Sequence, residues 1–179
     1  MINQQKYCSN CGKDVVIKYT EGRDRFVCEY CNTIHYTNPK IVAGALCVWE
    51  DKVLLCRRAI EPRRGYWNLP AGYLEDFEKV EDGAIRETWE EAGATIKIEK
   101  VFTIYNLPQA NQVYIHFLAM LTDGIIRNGD ESIESALFLE SEIPWDEMAF
   151  TSSAFALRKY FEDRKNGVFN THLGAFPEK

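Results

Sequence analysis

Long apolar runs separated by short polar connections occupy the middle of the chain. Residues 41–49 form one such run, with Gly44 inside it, residues 53–56 form another, and Glu50-Asp51-Lys52 joins them. This pattern predicts a hairpin of buried strands. A polar, arginine-rich connection covers residues 57–65. From Lys79 onward the period changes: Val80, Ala84, Thr88 and Ala92 recur at every fourth position with Ile85 and Trp89 beside them, and Gly93 follows. That spacing predicts an amphipathic helix over residues 79–92 with its apolar stripe toward the core. Residues 95–105 and 112–121 predict two further long strands around a turn at Pro108, residues 123–132 a polar loop, and residues 136–139 a short strand. Thr151-Ser152-Ser153 offers caps for a last helix, in which Ala154, Leu157 and Phe161 share a face and which Asn166-Gly167 closes. Strands and helices mix without regular alternation, so the predicted class is α+β rather than a doubly wound sheet.

The first forty residues lack such runs and carry cysteines instead. Cys8-x2-Cys11 and Cys28-x2-Cys31 lie sixteen residues apart. Two residues between thiolates let one turn present both sulfurs to one ion, and two such turns complete a tetrahedron around Zn²⁺. His35 is a further nitrogen donor nearby, but the four thiols need no fifth partner, and Ile34-His35-Tyr36 reads as a strand. A closed four-ligand site leaves no position for substrate, so the expected zinc is structural. The predicted organisation is a zinc ribbon over residues 1–38 and a second domain over residues 39–179. Cys47 and Cys56 fall inside apolar runs and are expected to be buried, inert thiols.

Composition narrows the function classes. The 179 residues are 46% hydrophobic, enough to form a core, with 21 Lys+Arg against 27 Asp+Glu and a net charge of −6. An acidic balance disfavours nucleic acid as the main partner. Residues 1–40 carry six basic and four acidic side chains, and a Zn²⁺ on four thiolates adds −2, which leaves the loaded ribbon about neutral. No run approaches the roughly 18 apolar residues of a membrane span, and the start has no apolar signal core, so a soluble cytoplasmic protein is expected.

Glu87, Glu90 and Glu91 occupy positions i, i+3 and i+4 of the predicted helix, confining three carboxylates to one arc of one turn. Such a cluster is unfavourable unless it is solvated or neutralised by a cation, and a solvated acidic face is the ordinary alternative. The surrounding string, Gly72-x5-Glu78-x7-Arg86-Glu87-Thr88-x-Glu90-Glu91-x-Gly93-Ala94, resembles the signature of the Nudix hydrolase family. It departs from that signature at Thr88, where a bulky aliphatic is usual, and at the small Ala94.

The resemblance implies an α/β/α sandwich with a mixed sheet and hydrolysis, assisted by Mg²⁺ or Mn²⁺, of a diphosphate joining a nucleoside to another group. Glu87 and Glu91 are the implied catalytic metal ligands, Glu90 a ligand or near neighbour, and the carbonyl of Ala71 a further oxygen. Arg86 and Glu78 resemble the pair that braces the loop against the helix. The general base in this family is a carboxylate of the signature or of a distant loop, and Glu131 and Glu134 are favoured here over Asp130.

Arg57, Arg58, Arg63 and Arg64 supply local positive charge for a diphosphate in an acidic protein. One or two of them are expected to touch substrate. Tyr66 and Trp67 are candidates to stack on an adenine or isoalloxazine ring, although a Trp beside Leu69-Pro70 ordinarily packs in a core.

Along nearly its whole length the chain resembles ribbon-bearing Nudix hydrolases related to plant plastid FAD and ADP-ribose pyrophosphatases. It also resembles the NADH pyrophosphatase group, but residues 101–110 lack that group's Ser, Gln, Pro, Trp and Phe motif. The implied partner is a small nucleotide, ADP-ribose or FAD before NADH, with no membrane, nucleic acid disfavoured, and a homodimer left open. An RNA-cap-processing enzyme and a nucleotide-binding regulator stand as alternatives.

Overall fold

The computed structural model describes residues 5–177, and the chain divides into two compact units, Met1–Asn38 and Pro39–Lys179.

The first unit is a three-stranded antiparallel sheet of β1 (Val16–Thr20), β2 (Arg23–Val27) and β3 (Ile34–His35). Two tight turns present the thiols. Gly12 N–H donates to the Cys8 carbonyl at 2.9 Å, and Cys28 N–H donates to that of Thr33 at 2.9 Å. Gly12 takes φ 72°, a value a side chain would resist. The four sulfurs all lie within 4.8 Å of one another, with Cys8–Cys31 at 3.6 Å and Cys11–Cys28 at 3.5 Å. Zn–S bonds of about 2.3 Å in a tetrahedron require sulfurs roughly 3.8 Å apart, so the donor set fits zinc in both chemistry and size. Among the described residues of this unit only Cys8, Phe26 and Cys28 are buried, too little apolar surface to hold a fold of this length without metal.

The second unit is built on one large mixed sheet. Its elements are β4 (Lys40–Trp49), β5 (Lys52–Arg58), β6 (Trp67–Asn68), β7 (Ala71–Tyr73), α1 (Val80–Ala92), β8 (Ile96–Leu107), β9 (Gln112–Leu121), β10 (Ser132–Phe138), α2 (Thr151–Asn166) and β11 (His172–Ala175). The strand order is β10-β5-β4-β9-β8-β11, with β4–β9 and β8–β11 parallel and the other neighbours antiparallel.

The uninterrupted apolar runs follow from burial on both faces. Leu46, Val48, Val53 and Leu55 pack with Ala156, Leu157, Tyr160 and Phe161 of α2. The alternate residues Ala45, Cys47, Leu54 and Cys56 pack with Ala84 and Ala92 of α1. One helix on each face gives the expected α/β/α layering. Burial pushes the Cys47 thiol up to about 12, and Cys56 higher still, which keeps both protonated. Among the described residues no helix is long and apolar enough to cross a membrane.

The predicted hairpin of β4 and β5 holds only at its turn, through Val48↔Val53 and Trp49↔Lys52. Beyond that the strands splay: β4 pairs with β7 and β5 with β6, so residues 67–73 fill the opening. Gly44 permits this, since a Cβ there would fall 2.4 Å from that of Ala71.

Three local expectations change. The predicted stripe of Ala84, Thr88 and Ala92 does face the sheet, but Ile85 and Trp89 beside it are exposed and Glu91 is buried. The strand predicted at residues 136–139 starts at Ser132, pairing with β5 by register rather than by apolar pattern. Helix α2 has Phe150 as N-cap and no side-chain cap; Ser152 and Ser153 lie buried in its first turn, and Ser153 is 2.5 Å from Asn68 Oδ1.

Chelation of the ribbon's metal is expected to unfold the first unit while the second stays folded. Hydrogen exchange should show residues 5–37 losing protection and the amides of β4, β8 and β9 keeping theirs; an ordered, protected ribbon without metal would contradict the metal dependence.

Candidate active site

The splay of β4 and β5 is what brings the charged residues together. Residues 67–73 run between the two strands and deliver Gly72 against α1, where an added Cβ would lie 2.3 Å from the Glu87 carboxylate. A side chain at this position would push the Glu87 carboxylate aside. Glu91, one turn further on, is 7% exposed, and its carboxylate accepts a hydrogen bond from the Ala71 amide. Gly93, at φ 55°, ends the helix and donates to Trp89 O.

Arg86 binds this arrangement together, using all five of its N–H donors. Nε and Nη2 take the two oxygens of Glu78 at 2.8 and 3.0 Å. Nη1 donates to Glu87 Oε1 at 2.6 Å and to Glu90 Oε2 at 3.0 Å, and Nη2 also donates to the Tyr73 carbonyl at 3.1 Å. Glu78 in turn accepts from the Glu75 amide. The Arg86 guanidinium holds the Glu78 carboxyl below the usual range. Gly83 is in close contact with Leu74 and Glu78, so the loop lies directly on the helix.

A cleft of about 900 Å³ opens over these groups. Arg58, Ala71, Gly72, Arg86, Glu87, Glu90, Glu91 and Glu131 line it, together with Tyr73, Gln112, Tyr114 and Phe150. Burial raises the Glu87 carboxyl despite Arg86. Glu91 is pushed up to about 8, first by burial and then by the charge of Glu87, with Glu131 adding to it and Arg58 opposing. A buried carboxyl facing two other carboxylates in an open cleft is a site that favours a bound cation. The donor set consists of hard oxygens, which suits Mg²⁺ or Mn²⁺. Among the described residues, however, only the four cysteines have ligand atoms gathered within 4.8 Å, because Glu87 and Glu90 are each turned to Arg86.

Several sequence candidates lie elsewhere. Trp67 is a core residue, edge-on to Phe138 at 4.9 Å, and offers no face for stacking. Arg57 donates to the Gly65 carbonyl at 2.8 Å and faces Glu134 at 4.0 Å. Glu134 thus belongs to strand β10 opposite Arg57 rather than to the cleft. Arg63 stacks over Tyr66 at 5.5 Å, and neither lines the cleft. Of the arginine cluster, Arg58 alone is among the lining residues, its guanidinium 5.1 Å from the centre of the Phe150 ring.

Sequence reasoning missed the wall opposite. Tyr73 and Tyr114 both pair with Val42, one through β7 and one through β9, and Gln112 Nε2 donates to Tyr73 Oη at 2.7 Å. No local signal marks these residues, because the β4–β9 pairing joins positions seventy residues apart.

A family model described as NUDIX domain matches residues 38–163, and one described as Nudix N-terminal matches residues 6–37. A solved NUDIX hydrolase from Nitrosomonas europaea is 46% identical, with a TM-score of 0.92, covering 96% of this chain and 99% of that one. Among curated proteins, an ADP-ribose pyrophosphatase of Methanocaldococcus jannaschii is 27% identical over 113 residues, 61% of this chain and 67% of that protein. The NAD-capped RNA hydrolase NudC of Photobacterium profundum is 26% identical over 147 residues, 80% of this chain and 53% of its own. The chain thus spans about two-thirds of the first and about half of the second.

The raised Glu91 carboxyl has a consequence for stability. Its folded pKa of about 8 exceeds the unfolded value near 4.5, so folding favours the protonated form and that contribution is complete only below about pH 4.5. Without added magnesium, stability is expected to fall as pH rises from 5 to 8, by about 1.4 kcal/mol per unit over the steepest part. Glu91→Gln should flatten the decline in Tm, and thermal melts giving the same slope for both proteins would refute the assignment.

Proposed function

The chain belongs to the Nudix hydrolase family, and from that premise we propose that it splits the diphosphate of an adenine-linked substrate, ADP-ribose or FAD, into AMP and a phosphate ester. The observation that carries this reading is the Glu91 carboxyl, buried at the cleft with Glu87 and Glu131 acting on it and Arg58 as the opposing charge.

Glu87 and Glu91 are the residues to hold a divalent cation, with Glu90 and the Ala71 carbonyl completing the oxygen set. Bound there, Mg²⁺ or Mn²⁺ supplies charge neutralisation at the diphosphate and a more acidic water. The protein's own groups do the rest. Glu131, exposed on the cleft wall, accepts the proton of the attacking water. Arg58 orients the diphosphate, and Arg86 acts through Glu87 and Glu78 by keeping helix and loop in register. The four thiols of the ribbon hold a structural Zn²⁺.

Three considerations favour ADP-ribose or FAD. A net charge of −6 with Arg58 as the cluster's contribution to the cleft suits a diphosphate better than a triphosphate. Residues 101–110 lack the NADH-type motif. The likeness to the archaeal ADP-ribose pyrophosphatase points the same way. The match to NudC over 80% of the chain supports a second reading, hydrolysis of NADH or an NAD-capped RNA end.

A panel of ADP-ribose, FAD, NADH, NAD-capped RNA and dATP with Mg²⁺ or Mn²⁺, products separated by chromatography, tests the proposal. ADP-ribose or FAD should be consumed first under competition; NADH or capped RNA consumed first would select the second reading, and dATP would refute both. Glu91→Gln, which keeps the shape and the acceptor for the Ala71 amide, should lower kcat by on the order of 10³ or more with the fold intact. Near-normal turnover at saturating Mg²⁺ would remove Glu91 from the ligand set.

A further inference from the structure

Glu131 lies at the end of a surface loop, yet that loop is tied on three sides. On the first side it closes the C-terminus of α1: Arg127 N–H donates to Ala92 O at 2.7 Å and Gly129 N–H to Glu91 O at 3.0 Å. These carbonyls belong to the last turn, which has no intrahelical donors for them. Gly129 sits so close that a Cβ would fall 1.7 Å from Glu90 O. On the second side, Ala59 N–H donates to the Glu131 carbonyl at 2.7 Å, linking the loop to the residue after Arg58.

The third side is the neck of the loop, where β10 slips register against β5 between Ser132 and Glu134. A slip of this kind leaves main-chain groups without strand partners. The Asn128 side chain serves two of them, with Nδ2 donating to Ile133 O at 3.1 Å and Oδ1 accepting from Ser135 N–H at 2.8 Å. An amide has a donor and an acceptor on one rigid plane, which few other side chains offer. The orientation is fixed by its partners, since a reversed amide would face carbonyl with oxygen and N–H with N–H. Ser132 N–H to Gly129 O, at 3.0 Å, closes the turn inside this bracket.

We propose that Asn128 is a positioning residue for Glu131: by bridging the main chain of Ile133 and Ser135 across the register slip, it sets how far Glu131 reaches over the Glu87–Glu91 pair. This rests on Glu131 as the base. Asn128 is exposed and does not line the cleft, so it acts through the loop and touches neither metal nor substrate. Removing it releases the neck while the two bonds to α1 remain, so the carboxylates of α1 keep their places and the reach of Glu131 is what changes.

A double-variant cycle tests this at saturating Mg²⁺ with ADP-ribose, or with whichever panel nucleotide is turned over fastest. Glu131→Gln is expected to cost a factor on the order of 10²–10⁴ in kcat. Asn128→Ala should lower kcat about tenfold, with KM and the Mg²⁺ requirement within twofold of wild type. In the Glu131→Gln background the same change should have no further effect. Losses that multiply in the double variant, or a KM or Mg²⁺ requirement that moves with kcat, would overturn the positioning role and leave the base in place. Near-normal kcat for Glu131→Gln would overturn the base reading, and the inference with it. Hydrogen exchange supplies a readout apart from activity: Asn128→Ala should expose the Ser135 amide with α1 still protected, and an unchanged Ser135 amide would overturn the clamp. Asn128→Asp, which keeps an oxygen opposite Ser135, carries the same expected non-additivity should the alanine variant fail to fold.

Discussion

Three carboxylates on one turn of a helix repel one another, and a fourth reaches them from the loop before it; the guanidinium of Arg86 makes that crowding tolerable. It spends two donors on Glu78, one each on Glu87 and Glu90, and one on the Tyr73 carbonyl. Lysine could not do this, since its three donors radiate from one atom and cannot form a planar fork. The contact is partly shielded from water, with 28% of the Arg86 side chain exposed, so it is worth more than a surface ion pair. Through it the loop of residues 71–78 becomes a fixed extension of α1.

That extension determines what the helix can present. With Gly72 pressed against Glu87 and the Ala71 amide donating to Glu91, the loop covers one side of the acidic turn and leaves the other open to the cleft. Glu91 is therefore buried beside the carboxylates of Glu87 and Glu131, with Arg58 as the opposing charge. Burial of a carboxylate is costly, and the pKa of Glu91 is raised accordingly. A buried carboxyl beside two others also makes the site receptive to a divalent cation, so the raised pKa and the preference for a cation share one origin.

The two units rely on different forces. The larger one buries both faces of its sheet under α1 and α2 and folds on apolar area. The ribbon has three buried residues among those described, two of them cysteines, and depends on coordination. Its thiol cluster is closed and belongs to its own unit, whereas the carboxylate cluster opens on a cleft.

Much of this was legible in residue order, and the division follows the range of each interaction. The four cysteines, the helix ended by Gly93 and the Glu78–Arg86–Glu87 constellation are local patterns, set by turn geometry and a helical period that any reading of the chain can apply. Burial of strands on both faces was legible too, because runs such as residues 41–49 carry no polar alternation. The stripe of Ala84, Thr88 and Ala92 that meets the sheet was legible as well, but the exposure of Ile85 and Trp89 beside it and the burial of Glu91 were not, because they depend on how closely other segments pack on α1. Nor could sequence tell Arg58 from Arg57, or Glu131 from Glu134. Adjacent strand residues point to opposite faces, and the register slip in β10 shifts that alternation. Tyr73, Gln112 and Tyr114 meet only because β4 takes β7 on part of its length and β9 beside it. The thiol quartet of one unit and the carboxylate cluster with its arginine in the other are written in short spacings, so residue order alone reveals them. Tertiary structure decided which charged and aromatic side chains share the cleft, because that depends on strand register between segments far apart in the chain.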